Sequence, residues 1–195
     1  MLRRFLQGGA LTAVVLCAAP VLAADKKQGD VNVFLRGGIG DYTGDLGNLS
    51  STGPLWGLTL NLQPTTFLGF EVGYEGSQNK VADTRLFDAP SLVRNGGSAL
   101  VKVSPPFLTA VRPFAGVGLG LSYVDVRGAG AGLYDSDLME EIPLAVGLEF
   151  NTGGLTAGVR GTYRLLIDQD FANVASTDDN GGGLMDASLT LGARF

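Results

Sequence analysis

Nine charged residues of this chain have the types and spacing to act on one another: Arg36, Glu71, Glu75, Lys102, Arg112, Glu149, Arg160, Arg164 and Asp186. Glu71 and Glu75 share one face if their segment is a strand, and two neighbouring carboxylates can divide acid and base roles between them. Their simpler role is as partners for the arginines, and that is the role the rest of the sequence favours. The chain has no histidine, so neither a Ser-His nor an Asp-His relay can be built. Its one cysteine, Cys17, lies in the leader described below, which leaves no thiol as nucleophile or soft metal ligand. The nine are therefore expected to form a mutual ion-pair network, with no catalytic residue, no resident metal and no cofactor.

What would bring them together is a set of strands with one apolar and one polar face. Leu184 to Phe195 shows the pattern most cleanly: Met185, Ala187, Leu189, Leu191, Ala193 and Phe195 alternate with Asp186, Ser188, Thr190, Gly192 and Arg194. The same period of two runs through Val31 to Gly40, with Phe34 as its exception, and through Leu55 to Gln63 and Phe67 to Glu75. It returns in Ser98 to Ser104, Val111 to Asp125, Ile142 to Asn151 and Leu155 to Leu165, making eight strands. Gly96, Gly97 and Leu100 leave two phases nearly equal for the fourth strand. The high glycine count of 30 sits within these runs and not in a collagen period, which suits strands with one crowded face.

The connections alternate in length. Pro64 to Thr66, Pro105 to Ala110 and Thr152 to Gly154 are short turns, whereas Asp41 to Pro54, Gly76 to Gly97, Val126 to Glu141 and Ile167 to Gly183 read as long polar loops. Short turns at one end and long loops at the other belong to an up-and-down barrel that crosses a membrane.

At the N-terminus Arg3 and Arg4 precede an apolar run, Leu11 to Ala19, and then Pro20 and Val21-Leu22-Ala23-Ala24. That is a secretory leader with its cut expected after Ala23, and it is too short for the ~20 residues of a spanning helix. Leu16 is too bulky beside Cys17 for a lipoprotein signal. Residues 1–23 are thus read as the leader and 24–195 as one domain. Without Arg3 and Arg4, 12 basic residues face 19 acidic ones, so the net charge moves from −5 to −7 and nucleic acid is excluded as a natural partner.

A soluble eight-stranded carrier would alternate similarly, and what separates the two readings is the polar face. Six basic residues (the five of the network and Arg194) and four acidic ones stand there among glycines and small hydroxyls, the lining of a narrow lumen. The apolar face is long and bounded by aromatics: Trp56, Tyr74, Tyr123 and Tyr163 toward the loops, Phe67, Phe150 and Phe195 toward the turns. A closed barrel pairs every backbone group within the sheet, and runs of nine or more residues suit the ~9–11 that a tilted strand needs to cross. The fold expected is all-β, an eight-stranded antiparallel up-and-down transmembrane β-barrel.

These features resemble the eight-stranded outer-membrane β-barrel family of the OmpA/OmpX kind. The likeness is clearest at Arg112-Pro113-Phe114-Ala115-Gly116-Val117-Gly118-Leu119-Gly120 and in the last strand. It implies an outer-membrane location, outer-membrane lipid and lipopolysaccharide as surroundings, and a terminal Phe195 read as assembly signal by the barrel assembly machinery. A peptidoglycan-binding domain, which follows the barrel in some relatives, is not expected. Fold likeness alone gives little function. A structural or surface-binding role is expected, with any extracellular ligand held at acidic loops, where Asp135-Ser136-Asp137 and Asp178-Asp179-Asn180 are the places for a cation. The alternatives are a narrow channel for small solutes or ions and a periplasmic lipocalin-like carrier.

Overall fold

The fold was analysed in a computed structural model of the chain, which describes residues 30–44, 47–48, 50–81, 90–106, 110–127, 137–152, 154–167 and 182–195. Eight strands follow one another: β1 (Asp30–Thr43), β2 (Gly53–Gln63), β3 (Leu68–Lys80), β4 (Ser91–Val103), β5 (Val111–Arg127), β6 (Asp137–Thr152), β7 (Leu155–Ile167) and β8 (Gly183–Arg194). Each pairs antiparallel with the next, and β8 returns to β1 to close the barrel. The last residue completes that seam: the Phe195 amide donates to the Val31 carbonyl at 2.8 Å, and its carbonyl accepts from the Val31 amide at 3.3 Å. No edge strand is left unpaired, the condition for a sheet to survive in hydrocarbon.

Alternation decides what each face carries. Arg36, Glu71, Lys102, Glu149 and Asp186 turn inward and are buried, while Leu35, Val72, Val101, Leu148 and Leu189 turn outward and are exposed. Leu119, in the middle of β5, is 72% exposed, and a continuous girth of such residues is a surface made for lipid and not for water. The fourth strand takes the phase in which Ala99, Val101 and Val103 face out. Leu100 therefore enters the lumen, where it is buried against Phe114 and Ala145.

The strands are longer than the apolar alternation suggests, and the loops correspondingly shorter: they occupy only 44–52, 81–90, 128–136 and 168–182. Toward the loop end the hydropathy of the two faces inverts. Tyr42, Leu92, Val124, Val126, Met139, Leu166 and Leu184 point inward there and pack together with Val81 as a buried apolar layer. Between them Asp125 and Arg127 on β5 turn outward and pair with each other at 3.0 Å. Beyond the lipid the outer face meets water, so the barrel continues as a soluble one would, with an apolar inside. Glu141 and Arg94, which the sequence places among the loops, belong to these strand extensions and are buried.

Small residues make room for rings on both faces. A Cβ at Gly147 would stand 2.6 Å from the Phe114 ring, and one at Gly192 would stand 2.6 Å from that of Phe34, both inside the lumen. On the outer face Gly76 lies under the Trp56 indole in the same way. Phe34, the exception in the alternation of β1, is thus a lumen residue seated on glycine. The leader 1–23 and the Asp178-Asp179-Asn180 cluster lie outside the described residues, as do Asp135, Ser136 and the side chain of Asp137.

Candidate functional site

The lumen holds two charged clusters stacked along the barrel axis. The one nearer the loops is built from β1, β3, β4, β6, β7 and β8. Arg36 Nη1 donates to Glu75 Oε2 at 2.7 Å and its Nη2 to Asp186 Oδ1 at 3.2 Å. Arg164 reaches the same Glu75 oxygen at 2.5 Å and also donates to Asp186. Arg94 Nη1 donates to Glu75 Oε1 at 2.8 Å, so three guanidinium groups share one carboxylate. Arg94 also holds Glu141, through Nε at 2.7 Å and Nη2 at 2.5 Å, and the Ser122 hydroxyl donates to Glu141 Oε1 at 2.5 Å. Arg164 Nε lies 3.4 Å from the other Glu141 oxygen.

The second cluster lies nearer the turns. Glu71 accepts from Lys102 Nζ at 3.1 Å and from Arg160 Nη1 at 2.5 Å, and Glu149 accepts from Lys102 Nζ at 2.6 Å. Phe114 sits beside both cations, with Lys102 Nζ 4.9 Å and the Arg160 guanidinium carbon 5.7 Å from its ring centre. A ring face so placed attracts cations while its edge fills space. Between the clusters, Arg36, Glu71, Glu149, Arg160, Phe34 and Phe114 enclose a gap of about 10 Å³, about the room of one water molecule. Charges this far from solvent are tolerated only when paired and hydrogen-bonded, and here nearly all are.

Eight of the nine residues read from the sequence thus lie in these two clusters, four in each, and the one nearer the loops also takes in Arg94 and Glu141, which sequence reasoning assigned to the loops. The signal for those two was their parity: Arg94 falls in step with Lys102 on β4, and Glu141 in step with Glu149 on β6. Arg112 departs from expectation. It is buried in the lumen and stands opposite Glu149 in register, yet it pairs with none of the described carboxylates. Lys102 takes the Glu149 carboxylate, and among the described buried groups the cations outnumber the anions by one. Arg112 is the one left over.

Trp56 and Tyr123 are exposed at one level, linked by the successive register partners Gly76 and Asn95. Tyr74 lies deeper in β3, but its hydroxyl donates to Asn95 Oδ1 at 2.6 Å and so reaches that level. The Tyr163 and Thr43 hydroxyls lie 3.5 Å apart near the loop end. Phe67, Phe150 and Phe195 are exposed at the turn end. Nothing among the described residues groups three or more His, Cys, Asp or Glu side chains in a way that could hold a metal ion.

Comparison with known proteins agrees with this architecture. The structure is similar to that of Ail, the attachment invasion locus protein of Yersinia pestis, in complex with the heparin analogue sucrose octasulfate. The identity is 13%, the coverage 86% of this chain and 99% of that one, and the TM-score 0.59. It is also similar to the outer membrane protein OprG from Pseudomonas aeruginosa, with 13% identity, 87% and 97% coverage and a TM-score of 0.56. The N-terminal β-barrel domain of OprF from the same organism gives 16%, 86% and 100%, and 0.53. At such identities the likeness shows the fold alone. No curated protein sequence matches the chain significantly. The model of the outer membrane protein beta-barrel domain, however, matches residues 9–195. On that match, and on a closed barrel with a lipid-ready girth, the chain belongs to the outer membrane protein beta-barrel domain family of Gram-negative outer membranes.

Proposed function

We propose that the protein is a non-enzymatic outer-membrane barrel with a plugged lumen, serving the envelope as a structural element or as a platform that presents its loops at the cell surface. The observation that carries this reading is the filled interior: two layers of buried ion pairs beneath an apolar layer of Tyr42, Leu92, Val124, Met139, Leu166 and Leu184. An eight-stranded barrel is just wide enough for side chains to fill, and the two charged layers of this one are filled by groups that pair with one another. The turns then face the periplasm and the loops the outside, the leader 1–23 is removed on export, and Phe195 serves as the signal for the barrel assembly machinery.

Between strands the loop segments carry Asp45, Asp83, Asp88, Asp135, Asp168, Asp170, Asp178 and Asp179 against Arg85 alone. Ail has been seen with a sulfated heparin analogue. A polyanion of that kind suits a basic rim. The acidic rim here suits instead a cationic partner, or divalent cations shared with lipopolysaccharide phosphates.

Planar-bilayer recording of the purified protein tests the plug. A flat trace at moderate voltage is expected. Steady unitary conductance in salt solution would replace this reading with the narrow channel, and a protein released from cells without detergent would replace it with the lipocalin-like carrier. Mass spectrometry of the purified chain is expected to find Ala24 as the first residue.

A further inference from the structure

Most of the buried polar side-chain atoms without a partner among the described residues lie at the turn end of the lumen, the others being Arg36 Nε, Tyr42 Oη, Ser77 Oγ and Asn79 Oδ1. Asn32 near the start of β1, Asn61 and Gln63 at the end of β2, Ser104 just after β4 and Arg112 at the start of β5 are all buried. Among the described residues, Asn32 Oδ1, both amide atoms of Asn61 and of Gln63, Ser104 Oγ and Arg112 Nε have no hydrogen-bond partner. Asn61 Oδ1 and Gln63 Oε1 come within 3.4 Å of one point above Gly69, with Lys102 Cε also 3.3 Å from it, so the two amides of β2 come together beside Lys102. Unpaired polar groups out of water are costly, the buried Nε of a charged guanidinium among them.

We propose that this mouth is a binding site for one small free oxyanion of the phosphate or carboxylate class, held by Arg112 and reached from the periplasmic side. A single negative charge there offsets the one cation in excess among the described buried groups. The planar guanidinium offers paired donors in the geometry an oxyanion accepts, and the amide NH2 groups of Asn61 and Gln63 and the Ser104 hydroxyl supply further donors. The apolar layer at the other end closes off access from the loops. Burial of Arg112 inside the barrel favours a free anion over a lipid headgroup, which stays at the perimeter. The site does not depend on whether the lumen conducts, since it lies at the mouth.

The test uses the 15N-labelled protein as purified from outer membranes in a maltoside detergent, with R112M and R112K. Sodium phosphate, or sodium acetate, replaces sodium chloride at constant ionic strength. The Arg112 Nε–Hε resonance, identified by its loss in R112K, is expected to move saturably, and the unfolding temperature of the wild type to rise along the same curve. R112M, which removes a buried charge without a counter-charge, is expected to show no phosphate response and to be at least as heat-resistant as the wild type in chloride. Should R112M not fold, the wild-type titration decides, with the other arginine Nε signals as internal reference. A wild type indifferent to both anions overturns the site, as does an R112M variant stabilised equally. So does an Arg112 resonance that ignores phosphate but moves in E149Q or D30N, which would give the counter-charge to a carboxylate of the chain itself.

Discussion

Arg94 on β4 and Glu141 on β6 form a two-point ion pair inside the barrel, Nε to Oε1 at 2.7 Å and Nη2 to Oε2 at 2.5 Å, across the intervening strand β5. Neither residue has water to fall back on, since both are almost fully buried. Removing one partner strands the other. R94Q or E141Q is therefore expected to destabilise the barrel by about 3–5 kcal/mol, and a double replacement by methionines to recover most of that loss. Denaturant titration of the barrel in micelles, followed by the heat-dependent mobility shift in SDS gels, measures both. A double-variant loss equal to the sum of the two single losses would show that the pair's charges are not coupled.

Glu71 is the only described carboxylate that Arg160 reaches, and it shares Lys102 with Glu149. In E71A two cations are left competing for Glu149. The expected outcome is a lowered unfolding temperature, or a leak that appears as conductance in a planar bilayer. E71Q, which keeps the shape, is expected to cause the smaller packing loss but the same electrostatic one.

Phe114 fills the space over Gly147 and lies beside the Lys102 and Arg160 cations. F114A removes ring volume and cation contact together, and a loss of about 3–5 kcal/mol is expected from equilibrium unfolding. G147A approaches the same contact from the other side. Its new methyl would meet both the Phe114 ring and the Val159 carbonyl, so it is expected to destabilise even though alanine is the smallest possible addition.

The outer face gives a prediction that depends on depth. Leu119 is at the middle of β5 and faces lipid, so L119R is expected to cost about 2–4 kcal/mol in folding into bilayers. Arg127 is also exposed but lies at the loop end of the same strand, and R127E is expected to change little. Comparable losses for the two would place the apolar girth elsewhere than in lipid.

The sequence by itself determined the strand number and the phase of every strand but the fourth, and hence which residues of those strands face inward. A period of two needs no tertiary information, and an inward arginine on one strand implies an inward carboxylate on another. It also determined where the turns fall, because Pro64, Pro105 and Gly154 interrupt the alternation. Tertiary structure alone decided how far the strands continue and which charge meets which. The extensions escape a hydropathy reading because the faces exchange character where lipid gives way to water: Val124 and Met139 turn inward just where Leu119 and Val146 had marked the outside. Pairing is likewise not a property of local order. Arg36 meets Asp186 because the barrel closes β8 onto β1, and Arg112 pairs with none of the described carboxylates because Lys102, from the neighbouring strand, holds Glu149.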